Sequence, residues 1–340
     1  MPGILLDTLR GQVTEKRPVW LMRQAGRYLP EYRALRAEKG GFLELVYDSE
    51  AATEITLQPI RRFGFDGAIL FSDILIVPHA LGQDLQFLAG EGPHLSPRLV
   101  DAALASLNPA PHHFQPVWDT VRRTRAALAP DVTMLGFIGS PWTVATYMVA
   151  GEGSKDHYLA RAMAYGDPQA FGEIIEAIIA SSITYLSGQI DAGAEAVQLF
   201  DSWAGSLSPA QFERWVVAPT ARIVAAIREK HPAVPIIGFP KGAGARLPAY
   251  AAETGVDAVG VDETQDARWV HAHLPPHMPV QGNLDPLVLI GGGPQMEAAA
   301  REVINAFRGR PHVFNLGHGI DKSTPVAHVE QLLEIVRNAA

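Results

Sequence analysis

The stretch VTMLGFIGSPWTVATYMVAGEG, residues 132–153, reads in three parts. An apolar run, Val132–Phe137, has the length and residue types of a buried strand. Gly139 and Ser140 then supply a tight turn, and Pro141 falls where the first residue of a helix belongs. Its fixed φ suits that position, and its missing N–H would be unpaired there anyway. A strand turning directly into a helix is one βα unit.

Working outward, the same kind of run recurs as AILF (68–71), AVQLF (196–200), PIIGF (235–239), DAVGV (257–261), MPVQGN (278–283) and HVFNLG (312–317). The intervening segments carry helical patterns. FGEIIEAIIASSITYLSGQIDAG (171–193) has apolar residues at helical spacing and Gly193 as a stop. QFERWVVAPTARIVAAIREKH (211–231) does too, with Pro219 predicting a break or kink. Strands alternating with helices imply parallel pairing through right-handed crossovers.

Seven such units are visible, and PVWLM (18–22) supplies a candidate eighth strand. Eight units close a barrel, whereas an open doubly wound sheet has the same rhythm. The barrel is favoured because polar or glycine-rich residues follow almost every strand, as a site spread around one rim requires. No GxGxxG follows a first strand, and no GxxxxGK[ST] loop is present. DLQFLAGEGPHLSP (84–97) reads as an inserted hairpin, and no linker interrupts the chain. The expected fold is α/β, a single-domain (β/α)8 TIM barrel over residues 1–340.

The formal net charge is −8 with no basic run, which argues against a nucleic-acid partner. An acidic ligand would therefore need a local cluster of arginines. The chain has no cysteine, so disulfides, thiol nucleophiles and cysteine-ligated metals are excluded. Its start, MPGILLDTLRGQ, is too briefly apolar for a signal peptide. No stretch reaches the ~18 uninterrupted apolar residues of a membrane span. A cytoplasmic protein without a membrane partner is expected.

Several residues at strand ends carry chemistry. Arg23 and Arg27 in WLMRQAGRYLP are four apart, one turn if helical, although Gly26 and Pro30 argue for a loop or frayed turn; either way two planar forks suit a ligand with several carboxylates. The alternative is a surface pair bridged to acids such as Glu31. Asp73 follows AILF at the rim, where it is either a functional carboxylate or a helix cap. Tyr147 lies two turns into the helix that Pro141 opens, a position more often of the core. LFDSWAG (199–205) sets Phe200, Asp201 and Ser202 at one strand end, and FNLGHG sets His318 between two glycines at the last. HAHLPPHM (271–278) has a metal-like spacing, but no acidic companion and the wrong rim.

Taken in order, PVWLMRQAGRYLPEYRALR, FSDIL, GFIGSPWTVATYMVAG, QLFDSWAG, GFPKG, QGNLDP, FNLGHGI and TPVAHV resemble the uroporphyrinogen decarboxylase family across nearly the whole chain. Glu263, after GVD (260–262), departs from the tryptophan usual there and puts one packing contact in doubt. The resemblance implies a homodimeric TIM barrel that needs no cofactor or metal. It would convert uroporphyrinogen III to coproporphyrinogen III by removing one carboxyl group from each acetate side chain. Carried onto this sequence, Arg23, Gln24, Ala25, Gly26 and Arg27 line the substrate site, with Arg36 extending the patch. Asp73 faces the pyrrole nitrogens, while Tyr147, Phe200, Ser202 and His318 complete the contacts. Methyl transfer by a related zinc barrel is the alternative, disfavoured by the absence of cysteine and the intact RQAGR.

Overall fold

The computed structural model describes residues 3–88 and 92–339. Its strands run in chain order β1 (Gly67–Ile69), β2 (Asp84–Leu88), β3 (Gly92–Ser96), β4 (Thr133–Gly139), β5 (Ala196–Asp201), β6 (Ile236–Pro240), β7 (Ala258–Gly260), β8 (Val280–Leu284) and β9 (His312–Leu316). β2 and β3 pair antiparallel, the hairpin expected at 84–97, and its tip at 89–91 lies outside the described residues. The other seven strands form one parallel sheet in the order β1-β4-β5-β6-β7-β8-β9. Every residue of β4, β6, β8 and β9 is buried, as a parallel sheet covered on both faces requires.

The sheet curls until its ends meet. Gln281 of β8 donates to Gln198 of β5 at 2.9 Å, although two strands separate them in the sheet. That contact crosses the lumen. Trp20 Nε1 donates to Gln281 at 3.0 Å, so the segment before Arg23 also reaches inward.

The eighth strand expected over 18–22 is reduced to a single bridge, Val19 to Phe314 of β9. Phe314 N–H donates to Pro18 O at 2.9 Å, and the Asp66 N–H donates to Val19 O at 3.0 Å. Val19 N–H is taken by a side chain, Asp66 Oδ2, at 2.8 Å. The seam thus closes between β9 and β1. Pro18 has no N–H to extend a ladder, and the chain turns away at once, with Gln24 N–H donating to Leu21 O. The barrel has seven regular strands and one strand position held by a bridge.

The long helix Pro168–Asp191 is apolar and long enough, by length and composition, to cross a membrane. Here it packs Phe171, Ile174, Ile178 and Tyr185 into the barrel wall. The break expected at Pro219 is milder than a stop. One π-helical turn, Glu213–Val217, precedes Ala218–Lys230, and this local widening accommodates the proline.

Candidate active site

The segment 18–27 is threaded through the closing seam before it reaches the rim. Met22 N–H donates to Asn315 Oδ1 at 2.9 Å, and Ile320 N–H donates back to Met22 O at 2.9 Å. Gln24 is fully buried. Its Nε2 donates to Gly67 O at 2.9 Å and its Oε1 accepts from Leu21 N–H. With both ends of the amide committed, Gln24 anchors the loop to β1 and is closed off from a ligand. Arg23, held between these ties, has φ 60°, a left-handed backbone that a non-glycine residue adopts under constraint.

Arg23 and Arg27 are both exposed, and among the described residues neither forms an ion pair. Glu31, the acid that might have neutralised them, is instead held by Arg62 at 2.7 and 3.0 Å. Two guanidinium groups are left facing a cleft of about 540 Å³, which Ala25 and Gly26 also line. The same rim contributes Glu263 after β7, Asp285 and Leu287 after β8, and His318 after β9. Tyr32, Phe42 and Phe71 add an aromatic wall. Arg36 lies behind this wall against Tyr32, whose hydroxyl it contacts, and does not border the cleft itself.

Asp73 follows β1 and is partly buried. Its Oδ1 accepts from Leu75 N–H at 2.9 Å in a local turn, while the helix Ile76–Ala80 that follows has no side-chain cap. Burial pushes the carboxyl up to about 6, against the pull of that hydrogen bond and of Arg23. Tyr147 is the one residue of the helix Pro141–Ala150 that is only partly buried, and its ring still packs against the core. Burial, then the charge of Asp73, raises its hydroxyl, while Trp203 and Arg23 oppose the shift. His318 is driven down to about 3 by burial, then by Arg23 and Lys241, and is neutral at ordinary pH. Its ring stacks near Phe239 at 6.4 Å. Asp73, Tyr147 and His318, which lie far apart in sequence, all feel the Arg23 guanidinium.

The glycines around His318 serve close approach. A Cβ on Gly317 would lie 2.1 Å from Glu263 N, and one on Gly319 would lie 2.3 Å from Arg23 Cδ. The histidine loop is therefore clasped between the arginine on one side and Glu263 on the other. Phe200, at the end of β5, packs edge-on against Phe137 and Phe239 beside the same rim. Ser202 is half-buried two residues further on.

The chain matches the family model described as "Uroporphyrinogen decarboxylase (URO-D)" over residues 3–339. It belongs to the uroporphyrinogen decarboxylase family. A relative from Novosphingobium aromaticivorans named uroporphyrinogen decarboxylase is 68% identical over 337 residues, 99% of each chain. Another of that name from Erythrobacter litoralis is 67% identical over 338 residues, again 99% of each. Among solved structures, a methyltransferase from Methanosarcina mazei superposes with TM-score 0.77 over 98% of this chain and 97% of its own, at 18% identity. That likeness is one of fold alone.

Some features of this cleft have no signature in the sequence. Tyr32 and Phe42 come from helices packed outside the barrel, Pro30–Lys39 and Phe42–Tyr47, and no strand-end pattern points to them. Phe71 directly precedes the Ser72–Asp73 pair and lines the cleft from the end of the same apolar run. Asp201 was noted only as a strand-end residue. It is fully buried, its Oδ1 accepts from Thr143 Oγ1 at 2.5 Å, and its Oδ2 has no partner among the described residues. Burial pushes it up to about 7. Thr143 Oγ1 in turn accepts from Trp203 N–H at 3.1 Å, tying the turn after β5 to the helix that carries Tyr147. In the histidine cluster at 271–278, His273 stacks on Trp269 at 4.2 Å and bonds its carbonyl, while His271 O accepts from Arg310. Among the described residues no group of three or more histidines and carboxylates is placed to hold a metal.

Proposed function

We propose that this protein decarboxylates the four acetate side chains of uroporphyrinogen III, giving coproporphyrinogen III, and that the cleft bordered by Arg23 is where it does so. The observation that carries this reading is the cleft bordered by two guanidinium groups without ion-pair partners among the described residues, Arg23 and Arg27, together with His318, with Asp73 near enough for its carboxyl to feel the Arg23 charge. Loss of CO2 from a pyrrole acetate leaves a carbanion, so an electron sink is needed. Protonation of the ring carbon makes a cationic pyrrole that serves as that sink. Asp73, with one oxygen in its local turn, offers the other to the pyrrole N–H donors and to the developing positive charge.

Arg23 and Arg27 hold acetate and propionate carboxylates and fix which arm is presented. His318, kept neutral, donates or accepts a hydrogen bond without adding a charge that would repel the ring cation. Tyr147, held in its neutral form, is a donor at the same rim. Gln24 and Arg36 support this set from behind, the first through β1 and the second through Tyr32. We read residues 1–340 as one domain working in the cytoplasm as a homodimer, which the family resemblance supports. Sedimentation of the purified chain tests the dimer. The decisive experiment is product analysis after anaerobic incubation with uroporphyrinogen III. Stepwise loss of carboxyl groups ending at coproporphyrinogen III is expected, and an unchanged substrate would overturn the assignment.

A further inference from the structure

Glu263 is a carboxylate on the wall of a cleft whose proposed ligand is itself rimmed with carboxylates. It follows β7 with a side chain 21% exposed. Its Oε1 accepts from Lys241 Nζ at 3.1 Å, and its Oε2 is sealed from solvent with no hydrogen-bond partner among the described residues. Gly317 pins the Glu263 backbone against the His318 loop, while Gly319 on the far side of that loop packs on the Arg23 stem. His318 therefore has the Arg23 guanidinium on one flank and the Lys241-bound Glu263 carboxylate on the other, in a cleft that Asp285, Asp321 and Lys322 also line. Lys241, 26% exposed and shared with solvent, screens Glu263 only in part.

We infer that Glu263, held by Lys241, is a specificity-determining residue that sorts a tetrapyrrole by the number of acetate arms it has already lost. This rests on the decarboxylation proposed above. A ring still bearing acetate and propionate is repelled from the Glu263 flank and drawn toward Arg23. A ring whose acetate has become a methyl group loses one carboxylate and is better tolerated beside Glu263. Each turnover thus changes which ring sits on which flank, and partly processed intermediates gain an advantage over the fully carboxylated substrate.

The test compares kcat/KM for uroporphyrinogen III with that for the five-carboxylate intermediate, in the wild type, Glu263→Gln and Lys241→Met. Glu263→Gln removes the repelling charge and frees Lys241, so KM for uroporphyrinogen III should fall about threefold relative to KM for the intermediate, the size expected of a part-exposed charge. Lys241→Met bares Glu263 and should move the ratio the opposite way. A purely structural role would change both substrates together. A ratio unmoved in both variants, or moved in the same direction by both, overturns the inference. If Glu263→Gln fails to fold, the direction of the Lys241→Met shift alone decides. Wild-type turnover is the control for the activity itself. If the wild type consumes neither substrate, the functional assignment has failed and this inference falls with it.

Discussion

Asp73 and Asp201 are both aspartates at strand ends, and both are pushed upward by burial, yet their surroundings assign them different work. Asp73 stands at the rim within the field of Arg23. Asp73→Asn preserves the turn to Leu75, since an amide oxygen also accepts, so the variant should fold normally. It should nevertheless lose roughly 2–4 kcal/mol of transition-state stabilisation, by analogy with removal of a preorganised oxyanion-hole donor. An Asn variant with full kcat would remove Asp73 from the chemistry. Because the carboxyl sits at about 6, kcat/KM of the wild type should decline as pH is lowered through that value. Asp201 is sealed inside, and its effect is on stability. Its folded value of about 7 exceeds the ordinary 3.8, so the folded state holds the proton more tightly. Wild-type stability contributed by this group is greatest below about 4 and is lost as pH rises to about 7. Asp201→Asn cannot ionise, so its melting temperature relative to wild type should climb across that window. Parallel melting curves would contradict this.

At the scale of elements, the strand-then-helix rhythm was legible because a buried parallel strand must be apolar and its helix needs a punctuated start, as at Gly139–Pro141. The regular strands fall within two residues of the runs read from sequence. The eighth was over-read, because PVWLM is apolar enough for a strand while its pairing is limited by Pro18 and by an immediate turn. Within the site, the arginines and rim residues could be read from residue type, but the role of Gln24 could not. An amide in a loop gives no sign that both its ends are spent on backbone. The glycines of the His318 loop are contact surfaces on both of its sides, which residue type alone does not reveal. This yields a paired prediction. In Gly319→Ala the new methyl meets the flexible stem of Arg23, which can shift, so the fold should survive while KM for uroporphyrinogen III rises several-fold. In Gly317→Ala it meets the backbone of Glu263, so thermal stability should fall by about 1–3 kcal/mol. Equal melting temperatures for the two variants would contradict the contrast.

At the scale of the whole molecule, the seam between β9 and β1 is the least regular part of the barrel, and Asp66 holds it with both backbone and side chain. Asp66→Ala leaves Val19 N–H without its partner and should cost about 1–2 kcal/mol. The loss should appear as a lower melting temperature together with a raised KM, because the arginine segment hangs from that seam. A drop in stability with unchanged KM would show that the loop is fixed by Gln24 and Asn315 alone.

The same seam sets a timetable. Met22 and Asn315 are 293 positions apart, and the loop bearing Arg23 and Arg27 hangs between strands from opposite ends of the chain. During folding, that loop can find its partners only after β9 has come back to residues 18–22. A nascent chain lacking β9 has no seam, no His318 and no fixed Arg23, however well its other strands have paired. The cleft that Arg23 and His318 border therefore forms in one step, when residues 18–27 meet β9, rather than strand by strand.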